Sequence, residues 1–439
     1  KVASEVELTG DLERDVYWLL AESHSALDRD DEAVQYYRLI TRKFPKSKLA
    51  ADAAYRLAHH LQKRGEYREA ARFFEAVARD FPDRDIAPKA LFASAFCLQK
   101  IDGHEEAARD WAALIERYPK HELAEESLYQ KAVSETRLGR RPDALESYRR
   151  LLEKYPKTTF RADAHYWRGV ILVEEEKLED GEAELRKALR HSPRGELRRR
   201  IEYALALVVQ KRGKDDEAAR LLTKLLGTPM RKKFTPPLIE WLANHALERK
   251  QSKQAISVTQ FLIERAETPA WKQTGWYLNG RAWLSAGKRA KAREALEKAL
   301  GLDVRTDYTS QAALRLARMN EEDGDYEQAK ERYATAAAMA ADDSRLGVRA
   351  HAYAGMGRVA AATDDDAAAA RYFMSVAVLY DDAELVPACL ASAAKAFREL
   401  GQEDTARQAV SELRRRYPDS DEARALAGNG NGGEEGAKR

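Results

Sequence analysis

The 37-residue stretch that decides the fold runs from Tyr118 to Lys154 and reads YPKHELAEESLYQKAVSETRLGRRPDALESYRRLLEK, after which Tyr-Pro returns at Tyr155. Within it, Ala132 and Ala144 lie twelve positions apart, and Tyr148 follows Ala144 by four. Residues at i and i+4 share one face of a helix, so Ala144 and Tyr148 form an apolar stripe. A proline cannot continue a helix. The stretch therefore predicts two packed helices followed by a proline stop.

The same spacing recurs eleven times along the chain. A small residue, which we call the small position, occurs on the first helix of every unit: Ala21, Ala58, Ala95, Ala132, Gly169, Ala206, Ala243, Gly280, Ala317, Gly357 and Ala394. Twelve residues later the second helix carries Ala33, Ala70, Ala107, Ala144, Gly181, Ala218, Ala255, Ala292, Ala329, Ala369 and Ala406. Glycines seven residues past the small position predict the turn between the helices, where a left-handed cap favours glycine: Gly65, Gly139, Gly213, Gly287, Gly324 and Gly401.

These positions resemble the tetratricopeptide repeat, whose signature is a small residue in helix A, then alanine and an aromatic residue in helix B, and a closing proline. The resemblance implies an all-α, right-handed superhelical solenoid of about eleven helix-turn-helix repeats, with a period of 37 instead of the usual 34. The variant that follows Phe44 and Tyr155, an aromatic-Pro-x-Ser/Thr run, is similar to a bacterial envelope subfamily of outer-membrane-assembly lipoproteins and Tol-Pal accessory proteins. Those relatives have fewer repeats, and the lipoproteins begin at a cysteine that this sequence lacks.

The strength of the repeat pattern predicts the domain boundaries. They are a lead-in at 1–13, repeats one to five at 14–193, repeats six to eleven at 194–418, a capping helix at 419–427 and a disordered tail at 428–439. A three-residue insertion interrupts the pattern near Asp342 to Arg345.

Composition excludes several functional classes. The 439 residues carry 75 basic and 73 acidic side chains, a net charge of +2, which gives no reason to expect nucleic acid as a partner. No apolar run approaches the ~18 residues that span a bilayer. Cys97 and Cys389 lie too far apart for a disulfide framework or a cysteine-based zinc site. The chain begins at Lys1 without an apolar leader, so either a leader has been removed or a longer gene precedes it.

Catalytic and cofactor motifs are missing from the sequence. The nine histidines are scattered, and the adjacent pair His59 and His60 points to two faces of one helix. Phosphate-binding, zinc-protease and nucleophile-elbow motifs do not occur. We therefore expect no enzymatic activity, no metal and no cofactor.

Aromatic residues three positions before the small position are the first candidates for partner contact. They are Trp18, Tyr55, Phe92, Tyr129, Tyr166, Tyr203 and, after Glu240 breaks the series, Tyr277. The resemblance implies that this face borders the concave groove. Either each ring packs against the next first helix with its polar tip in water, or the rings also form a platform for a partner.

Basic residues one position after the small position are the second candidates. The late repeats carry Arg281, Arg318, Arg358 and Lys395, where early ones carry Glu22, His59, Phe96, Val133, Val170 and Leu207. The basic residues either form a column that binds an acidic peptide or pair internally, as Arg318 with Glu322 and Lys395 with Glu399 at i and i+4.

The expected function is a non-enzymatic scaffold that binds a protein or extended peptide in its concave groove. The envelope resemblance implies a periplasmic or outer-membrane-associated location, in a membrane-associated complex but without a membrane span. The alternatives are a cytoplasmic adaptor or regulator, the repeat portion of a larger protein, an enzyme whose catalytic domain lies elsewhere, and a carbohydrate-binding role for the aromatic series.

Overall fold

All regular structure in the described part of the chain is helical. The computed structural model describes residues 10–340 and 346–428, which contain 23 α-helices and one 3₁₀ helix. The predicted all-α fold of helix-turn-helix repeats is thereby confirmed. The lead-in up to residue 9, the insertion near Asp342 to Arg345 and the tail from residue 429 lie outside the described residues.

The chain divides into two compact units, Lys1–Leu221 and Leu222–Arg439. The first unit contains α1 (Gly10–Ala26), α2 (Asp30–Lys43), α3 (Lys48–Lys63), α4 (Tyr67–Asp80), α5 (Ile86–Lys100), α6 (His104–Arg117), α7 (Ala124–Arg137), α8 (Arg141–Lys154), α9 (Arg161–Glu174), α10 (Leu178–Arg190) and α11 (Gly195–Lys211). The division falls inside α12 (Asp215–Leu226). The predicted grouping of repeats at 14–193 and 194–418 stays a prediction.

The second unit continues the same alternation of helices. It contains the 3₁₀ helix Pro229–Lys233 and then α13 (Pro236–Glu248), α14 (Ser252–Arg265), α15 (Pro269–Ser285), α16 (Arg289–Leu300), α17 (Asp307–Glu322), α18 (Tyr326–Met339), α19 (Leu346–Ala362), α20 (Asp366–Leu379), α21 (Leu385–Glu399), α22 (Glu403–Arg416) and α23 (Asp421–Gly428). Odd-numbered helices from α1 to α21 are the first helices of hairpins, and the even-numbered helix that follows each is the second.

Each hairpin closes through the small position. A Cβ built on Gly169 of α9 would lie 2.7 Å from Cγ of Leu185 on α10. One built on Gly357 of α19 would lie 2.6 Å from a ring carbon of Phe373 on α20. Real Cβ atoms essentially never approach heavy atoms within 3.0 Å. The small residue is therefore required by the close approach of the two helices, as the sequence predicts.

The large residue of the second helix fills the hairpin core. Tyr37, Phe74, Trp111 and Tyr148 are all fully buried, and an apolar cluster runs from α1 to α7 around the first three of them. Burying an aromatic side chain of this size contributes a few kcal/mol. This row of rings holds the two helix layers of the first unit together.

First helices of successive hairpins also contact each other, as α3 with α5 and α9 with α11 in the first unit, and α15 with α17 in the second. Residues three before and one after the small position share one face of the first helix, because they are four apart. We call this the first-helix face, and it carries every candidate residue named above.

Candidate functional site

The early aromatic residues are packed against the second helix of their own hairpin. Ring centroids lie 5.8 Å apart for Trp18 and Tyr37, 5.4 Å for Tyr55 and Phe74, and 4.9 Å for Phe92 and Trp111. One of the two sequence-based alternatives placed each ring against the next first helix instead. The observed contact differs because the large second-helix residue reaches across the small position to the ring.

The ring of Tyr129 contacts one aromatic residue in its own hairpin and one in the next. This ring lies 6.3 Å from that of Tyr148 in the same hairpin and stacks at 4.3 Å on Phe160, which directly precedes the next first helix, α9. Burial raises the pKa of Tyr129 to about 12 and raises that of Tyr166 and Tyr203 as well. These rings are half-buried, so they shape the first-helix face more than they project from it.

Tyr277 does not present its ring on the surface. It is 1% exposed, its ring stacks at 4.7 Å on that of Tyr308, and its hydroxyl donates a 2.6 Å hydrogen bond to Oε1 of Gln311. Its proposed contact with a partner therefore loses support, because a buried ring with a satisfied hydroxyl has no free surface to offer.

The first-helix face of the first unit instead exposes an apolar series that sequence reasoning left without a role. We call it the apolar stripe. It consists of the residues one after the small position in hairpins three to six: Phe96, Val133, Val170 and Leu207. Phe96 is 39% exposed, and the other three are half-buried. The signal was visible in the sequence, since four consecutive repeats place an apolar residue at the same position of this face.

A cleft opens along the middle of the apolar stripe, between α7 and α9. Its volume is about 270 Å³, and it is lined by Val133, Thr136, Arg137, Trp167, Val170, Ile171 and Glu174. The lining is apolar at the centre, while Arg137 and Glu174 supply charge at one end. Such a surface accepts an apolar side chain, and the charged groups at its end can orient the chain that carries it.

The predicted basic column is partly engaged in internal contacts. Arg358 donates to both carboxylate oxygens of Glu321, at 2.7 and 2.9 Å, and to the hydroxyl of Tyr333 at 3.1 Å. Arg281 donates a 3.1 Å hydrogen bond to Oδ1 of Asn244. The internal partners of these two arginines lie 37 positions earlier, on the preceding first helix, and not at i+4.

The other two basic residues project from the second unit. Arg318 and Lys395 are both exposed. Glu322, the expected partner of Arg318, instead accepts from Nη1 of Arg289. Arg318 and Lys395 are therefore the members of the predicted column best placed to meet an acidic partner.

A second cleft, of about 500 Å³, lies between α14, α15 and α16. Trp276 and Trp283 line it. Nζ of Lys298 lies 4.6 Å above the ring of Trp276, and Nζ of Lys291 lies 4.6 Å above that of Trp283. The lysines already supply the cation–π contact that such rings offer. We therefore assign this cleft to packing between neighbouring hairpins.

A hydrogen-bonded Ser–His–Asp chain joins the first two hairpins. Nε2 of His60 lies 3.2 Å from Oγ of Ser25, and Nδ1 of His60 lies 2.9 Å from Oδ1 of Asp30, whose other oxygen accepts from Lys63 at 3.0 Å. The neighbouring residues Arg64 and Asp31 form an ion pair across the same junction. We interpret the whole group as a polar contact between hairpins.

Other reactive groups are shielded. Both cysteines are buried, and burial raises the pKa of Cys97 to about 11 and that of Cys389 to about 12. Among the residues that the structure describes, no group of three or more His, Cys, Asp or Glu side chains is arranged to hold a metal ion. In the same residues, no helix combines the length and the apolar character that crossing a membrane requires.

Comparison with known proteins finds similarity to one family of repeats. Family models described as tetratricopeptide repeat match residues 15–47, 53–85, 98–157, 129–196 and 392–420. No curated protein matches the sequence.

Similar solved structures share little sequence with this chain. A tetratricopeptide repeat protein from Parabacteroides merdae is 17% identical, covers 60% of this chain and 97% of its own, and has a TM-score of 0.38. MamA from Desulfovibrio magneticus is 20% identical, with coverage of 40% and 93% and a TM-score of 0.35. Yeast Tom70 is 11% identical, with coverage of 95% for both chains and a TM-score of 0.34. The matched residues are thus similar to tetratricopeptide repeats, and the same kind of helical hairpin recurs through the rest of the described chain.

Proposed function

We propose that this chain is a non-enzymatic scaffold whose apolar stripe binds an extended peptide segment of a partner protein. The single observation that carries the proposal is the stripe itself: four apolar residues at one position of four successive first helices, with a cleft at its centre. Phe96 is exposed and the other three side chains are only half-buried, so a partner could bury the apolar surface that remains.

Helix spacing predicts the form of the bound segment. Packed helices lie about 8–10 Å apart, and we take this as the spacing between successive members of the stripe. A polyproline II segment has three residues per turn and rises about 3.1 Å per residue, or about 9 Å per turn. Such a segment presents every third side chain on one face. We therefore propose a ligand with an apolar residue at every third position over about ten residues.

Peptide selection tests this proposal directly. A library of random 16-residue peptides displayed on phage would be selected against the whole chain, then screened against Val133→Asp with Val170→Asp. We expect selected peptides to carry apolar residues with a three-residue period and to lose at least tenfold in affinity for the double variant. We expect at least this loss because binding would bury two aspartates against an apolar ligand, and burying an unpaired charge is costly.

A matched control comes from exposed apolar residues elsewhere. Val378 and Leu379 are 73% and 64% exposed at the end of α20, and Val378→Asp with Leu379→Asp should bind the selected peptides as the parent does. Equal binding of the peptides to the parent and to the Val133/Val170 variant would show that the apolar stripe is not the binding surface.

For the cellular setting, we propose a bacterial envelope role, in the periplasm or at the outer membrane. Its support is the 37-residue repeat with its aromatic-Pro-x-Ser/Thr run, which is similar to the envelope subfamily. The alternative is a cytoplasmic adaptor. Fractionation of the native host with an antibody against the chain decides between them, and recovery of the chain in the cytosolic fraction would overturn the envelope assignment.

A further inference from the structure

A charged cleft of about 260 Å³ lies between α4 and α6, the second helices of the second and third hairpins. Two of its lining residues, Ala71 and Leu98, are apolar and buried, and they form its floor. The charged side chains that line it come from the two helices: Arg68, Arg72 and Glu75 from α4, and Glu106, Arg109 and Asp110 from α6. We call it the second-helix cleft. It shares no residue with the apolar stripe, so what it binds is independent of the proposed peptide site.

An ion pair bridges the second-helix cleft at one turn of its helices and is missing at the next. Nη1 of Arg68 lies 2.6 Å from Oε2 of Glu106, 38 positions later in the chain. Arg72 and Asp110 stand in the same relation, about one helical turn further along both helices. These two side chains form no ion pair with each other, and Arg72 forms no hydrogen bond or ion pair with any described residue. The cleft therefore holds a guanidinium and a carboxyl group that face one space without meeting in it.

Asp110 is the acid that this cleft leaves without a cation. Its Oδ2 accepts a 2.6 Å hydrogen bond from Oγ of Ser94, whereas Oδ1 accepts none within the described part of the chain. The pKa of Asp110 is raised to about 6, chiefly by burial and further by the nearby Glu75, although the Ser94 hydrogen bond and Arg109 favour the charged form. A carboxyl group in this state inside a cleft is typical of a binding site, because a cation from outside supplies the partner that the fold does not.

We propose that the second-helix cleft binds a free α-amino acid. The ammonium group of the ligand lies against Asp110 and Glu75. Its carboxylate lies against Arg72 and Arg109, both of which are exposed and form no ion pair in the described part of the chain. An anion alone would meet the two acids and a cation alone would meet the arginines, and like charges brought together oppose binding. A ligand that carries both charges satisfies both sides of the cleft.

The size of the cleft favours a ligand as small as an amino acid. Its volume of about 260 Å³ lies below the roughly 300–1,000 Å³ of pockets that hold drug-sized ligands. An α-amino acid carries its ammonium and carboxylate groups on one carbon atom, so both fit within this space. The apolar floor of Ala71 and Leu98 meets the side chain of the ligand. We therefore expect amino acids with aliphatic side chains to bind best.

Isothermal titration calorimetry of the whole chain with each of the twenty standard L-amino acids tests the proposal. We expect at least one aliphatic amino acid to bind with a dissociation constant of about 1 mM or tighter. Its amide lacks the carboxylate and its N-acetyl derivative lacks the ammonium group. Each derivative should therefore bind at least tenfold more weakly than the amino acid itself.

Two substitutions locate the bound amino acid in the cleft. Asp110→Asn and Arg72→Gln should each weaken binding at least tenfold. Both variants should fold, because burial already favours the uncharged form of residue 110 and Arg72 is exposed, and circular dichroism checks this. Matched controls are Arg79→Gln on α4 and Asp83→Asn in the loop after it, both exposed and outside the cleft, and they should bind as the parent does.

Three results would each overturn the proposal. The first is that no amino acid binds the parent chain. The second is that the amide or the N-acetyl derivative binds as tightly as the amino acid, which would mean that only one charge is recognised. The third is that either cleft variant, shown to be folded, binds the amino acid like the parent, which would place the ligand elsewhere on the chain.

Discussion

At the scale of single residues, the turn between the two helices of a hairpin requires a left-handed backbone every time. The residue seven positions past the small position has positive φ in all eleven hairpins, from 55° at Asp28 and Lys250 to 82° at Gly65. Six of these residues are glycine, and the others are Asp28, Asp102, Glu176, Lys250 and Asp364. The left-handed backbone is required by the hairpin geometry. In five hairpins the residue there is not glycine, and its side chain makes this backbone conformation strained.

Lys250→Gly should therefore stabilise the seventh hairpin. We expect a gain of about 1 kcal/mol, because removing the side chain relieves the left-handed strain. Gly139→Lys, the reverse change at the equivalent turn, should cost a similar amount. Amide hydrogen exchange in the flanking helices measures both effects locally. Faster exchange in α13 and α14 of Lys250→Gly would contradict the argument.

Asp110 is a half-buried acid whose ionisation opposes folding. Burial raises its pKa to about 6, although Oγ of Ser94 donates a 2.6 Å hydrogen bond that favours the charged form. The folded pKa lies above the ordinary value near 4, so the folded state holds the proton more tightly. The resulting stability is fully present below about pH 4 and is lost as the pH rises through about 6.

Asp110→Asn should therefore be more stable than the parent at pH 8, by about 1–3 kcal/mol, and equal to it near pH 4. Urea denaturation of both proteins at the two pH values measures the difference. Asp83→Asn, at an exposed loop position, serves as the control and should track the parent. A less stable Asp110→Asn at pH 8 would mean that the nearby Arg109 keeps the carboxylate favourably ionised.

The position of each helix was predictable from sequence, but the partners of the exposed charges were not. Small and large residues twelve and sixteen positions apart record a contact inside one hairpin, and the structure places Gly169 against Leu185 as that spacing predicts. Arg358, by contrast, pairs with Glu321 across two hairpins. Only the packing of successive first helices brings residues 37 apart together, and a local i,i+4 rule does not describe it.

The contacts of the aromatic series were also not predictable from the sequence. A ring repeated at a fixed position indicates a repeated environment, and both a core and a surface satisfy that condition. In the structure the contacts of Trp18, Phe92 and Tyr129 are internal. The apolar stripe was the better indicator of a free surface, because its position carries Glu22 and His59 in other hairpins.

At the scale of helices, Glu182 joins the fifth hairpin to the sixth. The carboxylate is 4% exposed and accepts from Arg186 at 2.7 Å, from Lys214 at 2.8 Å and from Arg212. Burial opposes its ionisation, but these three hydrogen bonds outweigh burial and lower the pKa of Glu182 to about 2. The stability from this group is therefore present at neutral pH and lost only as the pH falls from above its ordinary value through about 2.

Glu182→Gln should destabilise this junction by about 3 kcal/mol at pH 7, because it leaves three cations around a site without its charge. Glu179→Gln is a matched control on the same helix, since Glu179 also pairs with Arg212 but is 83% exposed, and it should have far less effect. Hydrogen exchange should show loosening from α10 to α12 with α1 to α4 unchanged, because repeats couple mainly to their neighbours. Loosening throughout the first unit would contradict local coupling.

The close helix approach at Gly169 gives a second test at this scale. Alanine usually stabilises a helix interior relative to glycine by about 1 kcal/mol. Gly169→Ala should instead destabilise, by about 1–3 kcal/mol, because its methyl group meets Leu185. Adding Leu185→Ala should make the alanine at 169 far less harmful than it is alone, as a double-mutant cycle of urea midpoints would show. Additive effects would mean that the two side chains do not compete for space.

At the scale of the whole molecule, acidic and basic residues are nearly equal in number, but the exposed charge is unevenly distributed along the first-helix face. The net charge is +2, yet the first unit carries the apolar stripe and the second unit exposes Arg318 and Lys395. Apolar burial does not depend on ionic strength in the way that exposed charge contacts do, since about 0.15 M salt screens them beyond roughly 8 Å. The two surfaces should therefore respond differently to salt.

A partner that contacts both surfaces should reveal this difference. We expect Val133→Asp with Val170→Asp to weaken its binding at low and at high salt, because the stripe supplies the anchor. Arg318→Glu with Lys395→Glu should lower its association rate several-fold at low salt and hardly at all near 1 M salt, because exposed charges steer encounter more than they hold the complex. Arg358 is unsuitable for this test, because reversing its charge would also break its ion pair with Glu321. Surface plasmon resonance at both salt concentrations separates association from dissociation. An association rate that is unchanged at low salt in the Arg318/Lys395 variant would remove the basic residues from the binding surface and leave the apolar stripe to act alone.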